Sequence, residues 1–244
     1  MKIVISGTYS TGKTTTSLAL SLLTNVPVTY ARTMREILPE TFPGKRLEEC
    51  DFHELIELGI RRFTERVIAE KKIGQCFISD GCPLQEWIYG QTRNLTGLNP
   101  SEKYWKIKLH QLIYSSKWNV FKKAIISFGD TVKEYTKHAY THVIHLPAEI
   151  PFEPDGHRPV SELFRSKSEE LLLNTYKELG LNVYEAKGTL ASRLEQIVNY
   201  LNLNTIMPVN EAIEKAGYIR KSKFDHIKLE KTGKAYIKSG IMVR

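Results

Sequence analysis

Long apolar runs are absent from this sequence, and cysteines are few. No stretch of about 18 or more consecutive apolar residues occurs, which excludes a transmembrane helix. Only a short apolar run precedes the first glycine loop, and we therefore expect no secretory signal. Cys50, Cys76 and Cys82 have neither the number nor the spacing of a disulfide framework or a zinc site. These absences favour a cytoplasmic protein in a reducing compartment, without a membrane partner.

Metal-ligand patterns and guanine-recognition motifs are missing as well. The seven histidines show no metal-ligand spacing, and we expect His142 and His145, which bracket an apolar run, to be structural. No Asn/Thr-Lys-x-Asp motif occurs, which disfavours a dedicated GTPase without excluding GTP as a ligand. The sequence also has no internal repeat and no low-complexity segment, which argues against a largely disordered chain.

Positive charge is unevenly distributed along the chain. The 244 residues include 35 Lys and Arg against 27 Asp and Glu, and the formal net charge is +8. Apolar residues make up 41% of the chain, which is enough for a large core. Residues 205–244 carry +5 of the net charge. We expect a main domain over residues 1–202 and a small basic extension over 205–244, which could contact a nucleic acid.

Short apolar runs alternate with segments of helical periodicity along the first 202 residues. This alternation is typical of a three-layer α/β fold, in which helices cover both faces of a parallel sheet. We predict a five-stranded sheet with strands at residues 2–6, 27–30, 75–80, 141–146 and 182–186. For the basic extension we predict a short helix over 208–216, ended by Gly217, and then a β-hairpin.

The pattern G-x-x-x-x-G-K-T, from Gly7 to Thr14, follows the first predicted strand and opens a helix. Two glycines allow the backbone to turn its N–H groups around a phosphate, and the helix N-terminus adds partial positive charge. Lys13 can bridge the β- and γ-phosphates of ATP, and the Thr14 hydroxyl can bind Mg²⁺. The predicted contacts to the donor nucleotide are Gly7, Thr8, Ser10, Thr11, Gly12, Lys13, Thr14 and Thr15.

Two further groups complete the predicted catalytic machinery. Asp80 ends the third predicted strand and so belongs at the carboxyl edge of the sheet. There it can bind Mg²⁺ or accept a proton from an acceptor hydroxyl. Residues 151–167, a loop rich in proline and the start of the next helix, are predicted to form a lid. Arg158 and Arg165 of this lid would stabilise the negative charge of a phosphoryl group in transfer.

The remaining arginines divide into acceptor contacts and solvated side chains. Arg32 and Arg35 follow the second predicted strand and could face the phosphate of an acceptor or a nucleic-acid backbone. Arg61, Arg62 and Arg66 lie on a predicted helix whose other face is apolar. We expect most of these three side chains to be solvated.

Five segments together resemble a group of P-loop proteins, the nicotinamide riboside kinase domains and related AAA-type nucleoside and nucleotide kinase-like ATPases. They are GTYSTGKTT, TYARTMREIL, QCFISDG, PFEPDGHRP and VYEAKGTLASRLEQIV, within residues 1–202. The resemblance implies a P-loop NTPase fold, ATP as donor, and adenine contacts from Gly188 and Thr189. Relatives often have a glutamate where this chain has Thr29, and thymidylate kinases usually have an arginine where it has Gly81. Both departures lie on the acceptor side.

These features favour a Mg²⁺- and ATP-dependent kinase with a nucleoside- or nucleotide-type acceptor. The basic extension keeps open a second acceptor, a modified base such as a hydroxymethylpyrimidine in DNA. A nucleotide-dependent regulatory switch without an acceptor is the alternative from another class. A DNA-binding module with a vestigial phosphate loop is disfavoured by the intact Gly12, Lys13 and Thr14. Oligomeric state is not determined by the sequence.

Overall fold

Four parallel strands form the central sheet. A computed structural model describes residues 1–97, 113–149, 161–224, 227–229 and 235–237. The strands are β1 (Lys2–Ser6), β2 (Phe77–Asp80), β3 (His142–His145) and β4 (Val183–Glu185), in the order β2-β1-β3-β4. Each neighbouring pair is parallel. The predicted parallel α/β class is therefore confirmed.

The second predicted strand is reduced to a single bridge. Val28 pairs in parallel with Ile78, and the Thr29 N–H donates to the Ile78 carbonyl at 2.8 Å. In the described part of the chain the sheet thus has four strands and a one-residue extension at the β2 edge, not five strands. Pro27 has no N–H to give to a ladder, and Thr33 already begins a helix. Little extended chain is left between them.

Helices cover both faces of this sheet. They are α1 (Lys13–Thr24), α2 (Met34–Thr41), α3 (Phe52–Ile73), α4 (Leu84–Thr96), α5 (Ser115–Ala139), α6 (Glu162–Glu178), α7 (Leu190–Leu201) and α8 (Val209–Phe224), with a 3-10 turn at Leu47–Glu49. Asp51 accepts from the Glu54 N–H and forms a capping box with it at the start of α3. None of the described helices has the length and apolar composition needed to cross a membrane.

Successive strand residues point to opposite sides of the sheet and build two cores. Val4 and Val143 pack with side chains of α4, α5 and α6 on one side. Ile5 and Ile144 pack with side chains of α1, α7 and α8 on the other. The sheet is therefore the middle layer of three, and its carboxyl edge is left for the loops that could bind a ligand.

The C-terminal helix α8 packs against the body of the protein. Ala212 and Ala216 are fully buried in the core that contains α1, and the Ile206 N–H donates to the Leu23 carbonyl at 2.8 Å. The predicted stop at Gly217 is wrong, because α8 continues to Phe224. One exposed glycine costs a helix only about 1 kcal/mol, which does not stop it. The domain boundary between 202 and 205 stays a prediction.

Two short strands follow α8. They are β5 (Ile227–Leu229) and β6 (Ala235–Ile237), and they pair in antiparallel fashion. This pairing agrees with the hairpin that the alternation of apolar and polar residues predicts for the basic extension.

Candidate active site

The phosphate loop joins β1 to α1 and has a backbone that glycine adopts most readily at two points. Gly7 has a φ of +141° and Gly12 a φ of +90°, a region that other residues avoid. A Cβ on Gly7 would lie 2.5 Å from the Leu146 carbonyl oxygen and 2.8 Å from Thr11 Oγ1. The loop is thus in close contact with the end of β3, and its shape requires both glycines of the motif.

Hydrogen bonds within the loop and from α4 hold this conformation. Thr11 Oγ1 donates to the Thr8 carbonyl at 3.0 Å, and Lys13 Nζ donates to the same carbonyl. The Gln85 side-chain amide of α4 donates to the Gly7 carbonyl. Among the described residues, the buried Thr8 hydroxyl has no hydrogen-bond partner.

Asp80 lies at the predicted edge of the sheet. It ends β2 and stands in register with Ile5 of the adjacent β1. The Gly81 N–H donates to the Ile5 carbonyl at 3.0 Å, which keeps the two strand ends together. Because β1 leads into the phosphate loop two residues later, Asp80 and the loop occupy neighbouring positions at one edge.

Arg66 is buried beneath this strand end, in contrast to the solvated state expected for most of Arg61, Arg62 and Arg66. Its exposed fraction is 2%, and Nη1 donates to the carbonyls of Asp80 at 2.8 Å and Gly81 at 2.9 Å. Nη2 lies 3.6 Å from the Glu86 carboxylate, which also pairs with Arg62 at 3.1 Å. The guanidinium of Arg66 therefore fixes the backbone that carries Asp80.

A buried carboxylate extends this network. Glu70 accepts hydrogen bonds from Ser79 Oγ at 2.6 Å, Tyr135 Oη at 2.7 Å and Tyr140 Oη at 2.6 Å. Burial and the negative charge of Glu70 raise the pKa of both tyrosines, so both stay protonated and donate. No motif indicates Arg66 or Glu70. Their i, i+4 spacing as opposite charges on α3 is the signal that could have found them.

Of the two predicted lid arginines, the structure describes only Arg165. Arg158 lies outside the described residues. Arg165 belongs to the first turn of α6 and is 2% exposed. Its guanidinium carbon lies 6.0 Å from the ring centre of Tyr9 in the phosphate loop. Its Nη1 lies 3.8 Å from the Glu162 carboxylate. The Tyr9 hydroxyl donates to the Ser161 carbonyl at 3.0 Å. The start of α6 is thus attached to the phosphate loop and places a buried cation beside it.

Arg32 and Arg35, the predicted acceptor contacts, lie close together at the start of α2. Arg32 forms ion pairs with Glu40 and with Glu65 of α3, and its hydrogen bond lowers the pKa of Glu65. Arg35 lies in the first turn of α2. The Thr29 hydroxyl, where relatives often have a glutamate, is buried and has no hydrogen-bond partner among the described residues. This region therefore differs from the phosphate loop in relying on charged pairs.

The loop after β4 opens at the same edge of the sheet. Gly188, with a φ of +83°, and Thr189, the N-cap of α7, are both exposed. The Gly188 N–H donates to Glu149 at 3.0 Å. Arg193 of α7 donates to the Thr11 carbonyl in the phosphate loop at 2.7 Å. Sequence reasoning missed Arg193, because one arginine on an amphipathic helix carries no signal until the fold places it.

The oxygen donors at this edge suit Mg²⁺. Thr14 is the second residue of α1 and Asp80 ends the strand next to β1. Hydroxyl and carboxylate oxygens are ligands that Mg²⁺ accepts, with phosphate oxygens completing its coordination. Across the described ranges no three His, Cys, Asp or Glu side chains converge as a metal-binding cluster. A magnesium ion at Thr14 and Asp80 would therefore depend on the phosphates of a nucleotide.

The parallel sheet and the glycine loop between β1 and α1 define the class of P-loop nucleotide-binding folds. A family model described as AAA domain matches residues 2–193. This chain therefore belongs to that AAA domain family. No curated protein matches it at a significant level.

Several solved structures share this fold. Deoxyadenosine kinase from M. mycoides with bound dATP has a TM-score of 0.54 at 19% identity, covering 83% of this chain and 100% of that chain. The same kinase with bound dCTP has a TM-score of 0.51 at 18% identity, with coverage of 83% and 99%. NadR protein in complex with NR has a TM-score of 0.52 at 16% identity, covering 84% of this chain and 53% of NadR. This chain thus corresponds to about half of NadR.

Proposed function

We propose that this protein is a Mg²⁺- and ATP-dependent phosphotransferase with a nucleoside- or nucleotide-type acceptor. The observation that carries the proposal is the shape of the phosphate loop. Gly7 and Gly12 have positive φ angles, and Lys13 begins the helix that follows. Backbone N–H groups at a helix N-terminus suit the phosphates of a nucleotide. Asp80 on the adjacent strand supplies the carboxylate that phosphate transfer requires.

Each predicted group has one part in the proposed reaction. Lys13 and the loop N–H groups hold the donor phosphates, while Thr14 and Asp80 hold Mg²⁺. Asp80 also takes the proton of the acceptor hydroxyl, whose oxygen forms the new bond to the γ-phosphorus as the bond to the β-phosphate oxygen breaks. Arg165 and Arg158 stabilise the charge of the group in transfer. Positioning and charge supply most of the catalysis in such reactions.

The nucleoside end of ATP is proposed to lie against Gly188 and Thr189, because ligands of parallel sheets bind in the crevice between loops at the carboxyl edge. Arg32 and Arg35 are proposed to contact the acceptor. The structurally similar kinase and NadR structures contain bound dATP, dCTP and NR. Those ligands support a nucleotide donor and an acceptor of related chemistry.

A second acceptor, a hydroxymethylated pyrimidine in DNA, is supported by the basic end of α8. Lys215, Arg220 and Lys221 are exposed there, and Tyr218 is 75% exposed. Cations together with an exposed aromatic ring suit a nucleic-acid backbone and an unstacked base. In this version of the proposal α8 would hold the polymer while the phosphate loop holds ATP.

Transfer of label from γ-labelled ATP tests the proposal. The acceptor panel contains nucleosides, nucleotides, and DNA with and without hydroxymethylpyrimidines. Lys13→Ala is expected to lower transfer by roughly 100-fold or more, because the donor phosphates lose their charged partner. Lys71→Ala, at an exposed position near the end of α3, is the matched control and should retain full activity.

Each outcome separates one version of the proposal from another. Full transfer by Lys13→Ala contradicts the phosphotransferase assignment. ATP hydrolysis that requires Lys13 but labels no acceptor would instead indicate a regulatory switch. DNA labelling that falls steeply with salt supports the polymer acceptor. Labelling of nucleosides or nucleotides alone removes it.

A further inference from the structure

Arg193 lies between the two loops of the proposed nucleotide site. It is in the first turn of α7 and is 3% exposed. Its Nη1 donates to the Thr11 carbonyl at 2.7 Å, and its Nη2 lies 3.1 Å from Glu149 Oε2. A Cβ on Gly12 would lie 3.4 Å from Nη1. The guanidinium therefore touches the phosphate loop directly before Lys13.

Glu149 provides the other half of this contact. Its Oε2 accepts from the Gly188 N–H at 3.0 Å as well as from Arg193. The hydrogen bond from Gly188, and then that from Arg193, lower the pKa of Glu149, so the carboxylate is ionised at neutral pH. Three segments meet at this ion pair: the phosphate loop, the segment after β3 and the loop after β4.

The geometry of this ion pair differs from that of its exposed neighbour. A guanidinium is planar with donors in fixed directions, so its bonds to Thr11 and Glu149 set an orientation as well as an attraction. Lys187 and Glu185, 2.6 Å apart at the same end of β4, form an exposed pair. That pair joins residues two positions apart and links no second loop. The Arg193–Glu149 pair, whose guanidinium is buried, is therefore the one that can fix the distance between loops.

We propose that Arg193 and Glu149 are positioning residues that fix the phosphate loop relative to the loop after β4, so that one nucleoside triphosphate meets both. The inference rests on the proposed ATP-dependent function. Two loops already held in place need not be ordered when the ligand binds, which strengthens binding. A ligand made only of phosphates does not extend to Gly188, and it gains little from this arrangement.

Calorimetric titration of the full chain with MgATP and with magnesium tripolyphosphate tests the inference. Glu149→Ala removes a negative charge and Arg193→Met a positive one, so a purely electrostatic effect on phosphate binding has opposite signs in the two variants. Positioning predicts the same sign. Each variant should weaken MgATP binding by about tenfold or more. Glu149→Ala should weaken tripolyphosphate binding by less than about threefold, because that ligand does not span the loops.

A double variant and a control complete the experiment. If the two residues act as one unit, the double variant binds MgATP no more weakly than the weaker single variant. Lys187→Ala should bind both ligands as the wild type does. Glu149 is exposed, so its variant still tests the inference if circular dichroism shows that Arg193→Met does not fold.

Three results would overturn the inference in distinguishable ways. Unchanged or tighter MgATP binding by Glu149→Ala excludes positioning through this ion pair. Equal weakening of MgATP and tripolyphosphate in both variants assigns the effect to the phosphate loop alone. Absence of MgATP binding by the wild-type chain removes the proposed function itself, and the positioning role with it.

Discussion

The proposed donor side and the proposed acceptor side of the site are held in place by different kinds of contact. On the donor side, the glycine backbone of the phosphate loop lies against the Leu146 carbonyl and accepts a neutral hydrogen bond from Gln85. On the acceptor side, Arg66 anchors the end of β2, and Arg32 joins α2 to α3 through ion pairs. Backbone shape holds the phosphate loop itself, with a charged contact added from Arg193, whereas ion pairs predominate on the other side.

This difference determines which side a sequence can reveal. The donor loop is a continuous stretch from Gly7 to Thr14, so its conformation leaves a recognisable motif. The acceptor side brings together residues that are far apart in the sequence, such as Arg32 and Glu65. Their pairing cannot be predicted until the packing of the helices is known. Substitutions on the two sides should therefore differ in size and in kind.

Arg66→Met should give the largest loss of stability. It leaves the buried Glu70 and the Asp80 and Gly81 carbonyls without their cation, and breaking a buried charged network costs about 3–5 kcal/mol. Urea unfolding measures the change. Arg61→Met is the matched control on the same helix, since Arg61 is exposed and forms an exposed ion pair with Glu57 at 2.8 Å; its effect should be below about 1 kcal/mol. Equal midpoints for the two variants would show that the Arg66 network contributes nothing special.

Gly7→Ala should have the next largest effect and should act on the donor side. The new Cβ would lie 2.5 Å from a backbone carbonyl, at a φ that alanine resists, which we expect to cost about 2–3 kcal/mol. MgATP binding, measured by calorimetry, should be lost with it. Gly44 also has a positive φ, +82°, but a Cβ there, as in Gly44→Ala, would have nothing within 4 Å. That control should lose about 1 kcal/mol and retain binding, and loss of binding there too would mean that backbone strain alone explains the result.

The order of elements and the phosphate loop could be predicted because both depend on local patterns. Apolar runs marked β1, β2, β3 and β4, and Asp51 with Glu54 marked the start of α3. The failures were at positions where tertiary contacts override local preference. Gly217 predicts a helix end, but Ala212 and Ala216 pack on α1 and the helix continues past them.

The candidate site was only partly predictable for the same reason. Asp80 was placed correctly at the strand end because parallel strands bring their carboxyl ends together. Arg66 and Arg193 could not be distinguished from solvated arginines, since burial depends on which helix face meets the sheet. An arginine becomes informative only when its partners, such as the Asp80 and Thr11 carbonyls, are known.

Arg32→Ala should have the smallest effect on stability and the most selective effect on the proposed function. The side chain is 39% exposed, and ion pairs of this kind contribute below about 1 kcal/mol. Arg32 lowers the pKa of Glu65. The contribution of the Arg32–Glu65 ion pair to the free energy of unfolding is therefore fully present above the ordinary glutamate pKa of about 4.3, and it is lost as Glu65 is protonated in acid. The urea midpoints of variant and wild type should therefore differ at neutral pH, and they should coincide at a pH far below that pKa. In phosphate-transfer assays the KM for the proposed acceptor should rise while the KM for ATP is unchanged, because Arg32 pairs with Glu40 of α2 and is not part of the phosphate loop. A change in the KM for ATP alone would place Arg32 on the donor side.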